Sequence, residues 1–255
     1  MSSRASVIPD IVGHRGAAGE APENTIAGLR HAIACGVRHV EIDLRLSADK
    51  QLVVIHDHDL KRTTGRKDKV ADLDTATLQA CYAQFDSDNS RHANETLGVP
   101  SLKHLLKSSR EIKSYQLEVK SDKHSNSAAL IKALVDFFPD SASAKRVIIT
   151  SFDTALVGEL KRLCPYLKTG VIAKKNLSKA IDSAIALNCH HLCLHHTLAL
   201  NNIEQLQKTL AANALHLSVW TVNDVQLIPA LMQIPVNSII TDVPTPMIKA
   251  LQTVK

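Results

Sequence analysis

The sequence predicts a single (β/α)8 barrel, and three observations carry that expectation. Short β-branched runs alternate with helical patterns from Pro100 to the end of the chain, which implies a parallel sheet flanked by helices. With two strands upstream counted in, the chain of 255 residues holds enough strand–helix units for one closed barrel of typical length. No glycine-rich dinucleotide-binding turn follows the first strand, which disfavours an open doubly wound sheet. One domain over residues 1–255 is therefore expected, with no fixed-period repeat beyond the alternation itself.

Each element has its own signals. Residues 6–12 read as the first strand, ending at His14. Pro22 and Asn24-Thr25 are helix-start signals; Ile26, Leu29, Ile33 and Val37 follow at helical spacing, with Gly36 as the stop. Residues 39–46 read as a strand and 51–55 as a shorter one, joined by a tight turn at Asp49-Lys50, so this pair is expected to be a hairpin. Between about 57 and 99 charges, Asn and Ser dominate, and only a helix near 73–82 stands out. That stretch reads as an insertion running over one face of the domain. Strands are then predicted at 115–119, 146–151, 169–173, 191–195, 217–222 and 238–241. The helices around them are predicted at 101–109, 127–138, 154–163, 177–187, 203–214 and 225–233, with a last one at 245–254.

Composition narrows the function classes. Apolar residues make up 45% of the chain, enough for a core, but aromatics only 3%, which argues against stacking platforms for single-stranded nucleic acid. The net charge of +5 is modest. The basic run from Lys61 to Lys69 reads as a solvated loop, since no second patch or binding motif accompanies it. No nucleic-acid partner is expected. Five scattered cysteines read as free thiols of a reducing compartment. The N-terminal residues show no apolar signal core and nowhere are there 18 consecutive apolar residues, so a cytoplasmic protein without stable membrane association is expected.

The chemistry concentrates in residues 13–59. In a strand, side chains two apart share a face, so Glu41 and Asp43 point the same way, in the C-terminal half of their strand. Glu118 and Lys120 repeat the arrangement on the next barrel strand. Charges facing into a barrel are costly unless paired or bound to a cation, and three carboxylates make a hard oxygen site suited to Mg²⁺ or Ca²⁺. His14 and His56 each end an apolar run, one on either side of the carboxylate strand, and imidazoles there can serve as general acid or base. Arg15 offers bidentate bonds to a phosphoryl group and Lys120 a point charge. The dense set Cys189, His190, His191, Cys193, His195 and His196 invites a zinc reading, but strand alternation splits it between two faces. There is no P-loop, no Gly-x-Ser-x-Gly elbow and no His-Glu-x-x-His motif.

Gly13-His14-Arg15-Gly16, Pro22-Glu23-Asn24-Thr25, the Glu41-Ile42-Asp43 strand and the His56-Asp57 hairpin end resemble the glycerophosphodiester phosphodiesterase family. The resemblance continues in order through Glu118-Val119-Lys120, Ser151-Phe152-Asp153, Val219-Trp220-Thr221-Val222-Asn223 and Ile240-Thr241-Asp242. It implies a (β/α)8 fold with a small insertion after the hairpin. It also implies hydrolysis of a small-molecule glycerophosphodiester to sn-glycerol 3-phosphate and an alcohol. By the same resemblance, His14 and His56 form the acid–base pair, and Glu41, Asp43 and Glu118 bind a divalent cation, with Mg²⁺ favoured and Ca²⁺ an alternative. Arg15 and Lys120 would hold the phosphate, Trp220 would wall the glycerol side, and Glu23 and Asn24 would support the site. The hairpin turn departs from the family pattern in lacking glycine. Two other readings stay open at this point: a related phosphodiesterase acting on lysophospholipids or phosphoinositides, and a non-catalytic barrel that binds a phosphodiester.

Overall fold

A computed structural model describes residues 8–83 and 97–253. Nine strands form one sheet in the order β1-β9-β8-β7-β6-β5-β4-β2-β3, and β1 also pairs with β2, which closes the barrel. The strands are β1 (Asp10–His14), β2 (His39–Leu46), β3 (Leu52–Val54), β4 (Ser114–Val119), β5 (Val147–Ser151), β6 (Lys168–Ala173), β7 (His191–His195), β8 (His216–Trp220) and β9 (Ser238–Thr241). Every pairing is parallel except β2 with β3, which is the predicted hairpin.

Helix α1 (Ile26–Ala34) begins where the sequence says it should: the Thr25 hydroxyl accepts from Gly28 N–H at 3.0 Å, an N-cap. Gly36, at φ 95°, ends the turn in the left-handed region that glycine tolerates. The short helices α2 (Lys61–Thr64) and α3 (Thr75–Gln79) lie in the insertion, and α4 (Leu102–Lys107) follows it. Beyond them come α5 (Ser127–Phe137), α6 (Thr154–Leu163), α7 (Leu177–Ala186), α8 (His196–Leu200), α9 (Ile203–Ala212), α10 (Ile228–Leu231) and α11 (Pro244–Thr253).

Alternation on the strands divides their side chains between two environments. Val40, Ile42 and Leu44 of β2 pack with Leu29 and Ala32 of α1 and with Leu102 and Leu105 of α4 in one apolar cluster. The alternate residues Glu41 and Asp43 are just as buried, so they need charge partners rather than apolar neighbours. A separate, smaller cluster of Val53, Ile55, Leu60, Val70, Leu78, Cys81 and Val99 fastens the insertion onto the hairpin. Residues 84–96 of the expected insertion lie outside the described residues, as do 6–7 of the expected first strand.

Four local expectations change. The basic run is not all loop, because Lys61–Thr64 form α2, closed by Gly65 at φ 77°. The helix expected over 225–233 is a 3-10 turn, Val225–Leu227, followed by α10, because Pro229 lacks the N–H that a continuous helix would use there. Helix α8 follows β7 directly and was not anticipated; its five residues are too few to show a period. The strand expected to reach residue 222 ends at Trp220. The turn without glycine closes all the same: Lys50 takes φ 60°, and Ser47 N–H bonds to Gln51 O at 3.1 Å.

Candidate active site

Strand register brings the predicted residues together. Pairing of β1 with β2 sets His14 opposite Glu41, and pairing of β2 with β4 sets Asp43 opposite Glu118. His14 ends β1 and Glu118 is last but one in β4, at the end that carries the site in barrels of this kind. Glu41 lies in the first half of β2, not the C-terminal half expected, because β2 runs on past the barrel into the hairpin with β3. His56 arrives by the hairpin. Ile55 N–H still bonds to Asp43 O at 3.0 Å, so the next residue returns to the level of the carboxylates. Arg45 Nε fixes the His56 carbonyl at 2.8 Å.

The loop after β1 carries Arg15 in the left-handed region, at φ 51°, and its other end carries Asn24 at φ 56°. Arg15 O accepts from Asn24 N–H at 2.9 Å, closing the loop on itself. Backbone in this region is uncommon without glycine, and here it is held by polar contacts. Arg15 N–H donates to Glu41 Oε2 (3.2 Å), its Nη1 to Glu23 Oε1 (3.0 Å), and its Nε lies 3.2 Å from Asp43 Oδ2. Asn24 Nδ2 donates to Asp43 Oδ2 at 2.8 Å. Glu23 and Asn24 therefore brace Arg15 and Asp43. Lys120 Nζ lies 2.8 Å from Asp43 Oδ1 and also pairs with Glu118.

Ligand oxygens of Glu41, Asp43 and Glu118 all lie within 4.8 Å of one another. Glu41 Oε1 is buried and accepts no hydrogen bond from the described residues. Three carboxylates converge and one buried oxygen is left unpartnered, so the set fits a hard divalent cation. The charges show the same need. Burial, then the neighbouring Asp43, pushes the Glu41 carboxyl up to about 8. Burial also raises Glu118. Burial acts the same way on Asp43 but is overcome by Lys120 and Arg15, which hold it well below the usual carboxylate range.

The two imidazoles are set apart. Burial would lower His14, but its Nδ1 lies 2.6 Å from Asp242 Oδ1 and its Nε2 3.7 Å from Glu41 Oε2, and these acidic neighbours raise it above its usual value. His56 is lowered, by burial first and by Lys120 and Arg15 after it, although Asp43 opposes. Its Nδ1 lies 2.7 Å from Asp57 Oδ1. Arg62 of α2 links the supports, donating to Asp57 Oδ2 at 2.7 Å and to both oxygens of Glu23 at 2.6 and 2.8 Å.

Sequence reasoning did not assign Asp242, Asp57 or Arg62. Asp242 comes into place through barrel closure: β1 and β9 pair as far as Gly13 with Thr241, so one further step sets His14 beside Asp242. Trp220 ends β8 half-buried, its Nε1 donating to Cys193 O at 3.2 Å, with Phe152 and His195 packed edge-on to its ring at 5.7 and 5.2 Å. The Cys189–His196 stretch supplies no group of three clustered metal donors among the described residues.

The family model for the glycerophosphoryl diester phosphodiesterase family matches residues 14–245. The chain belongs to that family. It is 30% identical over 244 residues to a putative glycerophosphodiester phosphodiesterase of Bacillus subtilis, covering 94% of this chain and 96% of the relative. It is 28% identical over 243 residues to a glycerophosphodiester phosphodiesterase of Caldanaerobacter subterraneus, covering 93% and 96%. Among solved structures, an Oleispira antarctica phosphodiesterase in complex with the product sn-glycerol-3-phosphate superposes with a TM-score of 0.80 at 25% identity, covering 96% of this chain and 97% of that one. This glycerophosphodiester phosphodiesterase family member is thus an enzyme on a barrel that its relatives share. No described helix is long and apolar enough to cross a membrane.

Proposed function

We propose that the whole chain is one catalytic domain, acting in the cytoplasm, that hydrolyses small glycerophosphodiesters to sn-glycerol 3-phosphate and an alcohol. The observation that carries this reading is the placement of His14 and His56 around one three-carboxylate set, with their proton affinities shifted in opposite directions. Groups tuned apart in this way divide into acid and base.

Glu41, Asp43 and Glu118 would hold a divalent cation, Mg²⁺ in preference to Ca²⁺, whose charge offsets that of the phosphoryl oxygens. Arg15 and Lys120 add positive charge beside the same carboxylates and face the phosphate. His56, lowered and therefore neutral near pH 7, takes the proton from the attacking hydroxyl. That hydroxyl is the 2-hydroxyl of the glycerol moiety, and a cyclic phosphate results as the bond to the alcohol breaks. His14, whose protonated form Asp242 and Glu41 favour, gives its proton to the departing alkoxide. Water then opens the ring, with the two imidazoles exchanging roles. Trp220 and Phe152 offer an apolar wall at the same end of the barrel.

A coupled assay for released glycerol 3-phosphate from glycerophosphocholine, with and without EDTA, tests this reading. Release that EDTA abolishes supports it; absence of release sinks it. A substrate analogue without the 2-hydroxyl tests the cyclic route, which normal turnover of that analogue would exclude.

A further inference from the structure

Two groups of described side chains bring their ligand atoms close enough to share one metal ion, and the carboxylate set is only the first. The second is Glu20, His31 and Cys35. His31 lies on α1 and Cys35 caps its C-terminus, four residues on, so the two side chains share one face of the helix. Glu20 comes from the loop that leaves β1. His31 Nε2 lies 2.8 Å from Glu20 Oε2 and 3.4 Å from Cys35 Sγ, and Cys35 Sγ lies 3.8 Å from Glu20 Oε2. Bond lengths of about 2.0–2.3 Å around a tetrahedral zinc ion place its ligand atoms about 3.4–3.6 Å from one another. The three separations bracket that edge.

The carboxylate is also oriented from behind. Thr245, at the start of α11, donates its N–H to Glu20 Oε1 at 2.9 Å and its hydroxyl to Glu20 Oε2 at 2.7 Å. Outer hydrogen bonds of this kind aim ligating carboxylates at a metal. The donor types discriminate as well: a thiolate and an imidazole favour zinc over the hard cations that suit three carboxylates.

We propose that Glu20, His31 and Cys35 form a zinc site, with water as the fourth ligand. On binding, Cys35 releases its thiol proton to solvent, and His31 offers a neutral Nε2 while its proton sits on Nδ1. The ion would tie the loop of Glu20 to α1, while Thr245 braces that loop by hydrogen bonds of its own. Glu20 shares its loop with His14 and Arg15, and Thr245 leads out of the segment that carries Asp242, the partner of His14.

Metal-free protein titrated with Co²⁺ should develop a thiolate-to-cobalt charge-transfer absorption that Zn²⁺ displaces. Asp43→Asn should keep this absorption and Cys35→Ser should lose it. A second measurement needs no variant. Cys35 is half-buried, whereas Cys81, Cys164, Cys189 and Cys193 are buried, so alkylation of the native protein reads Cys35. Zinc should slow that alkylation roughly tenfold or more, because the metal-bound sulfur is no longer a free nucleophile. Alkylation indifferent to zinc, or a cobalt band that survives in Cys35→Ser, overturns the assignment.

Discussion

His14 Nδ1 lies 2.6 Å from Asp242 Oδ1, a contact between residues 228 positions apart that exists only because β9 pairs with β1 and closes the barrel. It engages Nδ1 of His14 and leaves Nε2 turned to Glu41 at 3.7 Å, and Asp57 engages Nδ1 of His56 in the same way at 2.7 Å. Each carboxylate raises the proton affinity of its imidazole.

The pH dependence of kcat/KM should therefore be bell-shaped. Activity rises as His56 loses its proton, below the usual imidazole value of about 6.5, and falls as His14 loses its own, above that value. Asp242→Asn removes the negative charge that helps raise His14, so the alkaline limb should move to lower pH. Asp57→Asn should move the acid limb to lower pH for the same reason. A profile unchanged in both variants would detach these imidazoles from the rate.

The metal-free protein should lose stability as pH rises. Glu41 in the folded chain keeps its proton up to about 8, whereas in the unfolded chain it ionises from the ordinary carboxylate value upward. The folded state then binds more protons across that window, so its stability falls between the two values. Melting temperatures in EDTA should decline from about pH 4.5 to about 8. Added Mg²⁺ should restore them in the native sequence, and Glu41→Gln should flatten the decline. Equal slopes in the two proteins would contradict the buried, uncompensated carboxylate.

Asp43→Asn should weaken metal affinity, with partial rescue of activity by excess Mg²⁺. Asp43 is fully buried between Lys120, Arg15 and Asn24, and losing its charge would also leave the two cations less well paired. Loss of an outer partner alone typically costs about 10–100-fold in affinity, so loss of the carboxylate should cost at least roughly that much. Isothermal titration with Mg²⁺ measures it. An unchanged affinity would remove Asp43 from the ligand set.

How much of this was legible in the chain follows from distance along it. Glu41 and Asp43 could be placed on one face by the two-residue period alone, and the strand at 39–46 was read with its ends correct. His14 and His56 stood out because each ends an apolar run. Asp242 did not, since its role depends on barrel closure, which no local pattern encodes. Arg62 was misread within a basic run, because α2 is short and its cap makes no side-chain hydrogen bond. Asp57 belongs to the His56-Asp57 motif, but its grip on the His56 ring depends on a rotamer, and spacing says nothing about rotamers.

The loop after β1 also folds back too tightly to leave room for a side chain at Gly13, near the end of the strand. A Cβ at Gly13 would stand 1.9 Å from Gly16 O, a backbone atom that cannot step aside without moving Arg15. Gly13→Ala should destabilise the fold by on the order of 1–3 kcal/mol and lower activity with it. Chemical denaturation checks the first figure. A variant of native stability and full turnover would mean that the loop yields freely.

The most direct measurement is turnover of glycerophosphocholine by His14→Ala and His56→Ala, with binding of sn-glycerol 3-phosphate measured alongside to show that each site remains assembled. Loss of either imidazole should lower kcat by about 10²–10⁴-fold while product still binds. Near-full activity in both variants would contradict the acid–base pair on which the mechanism rests.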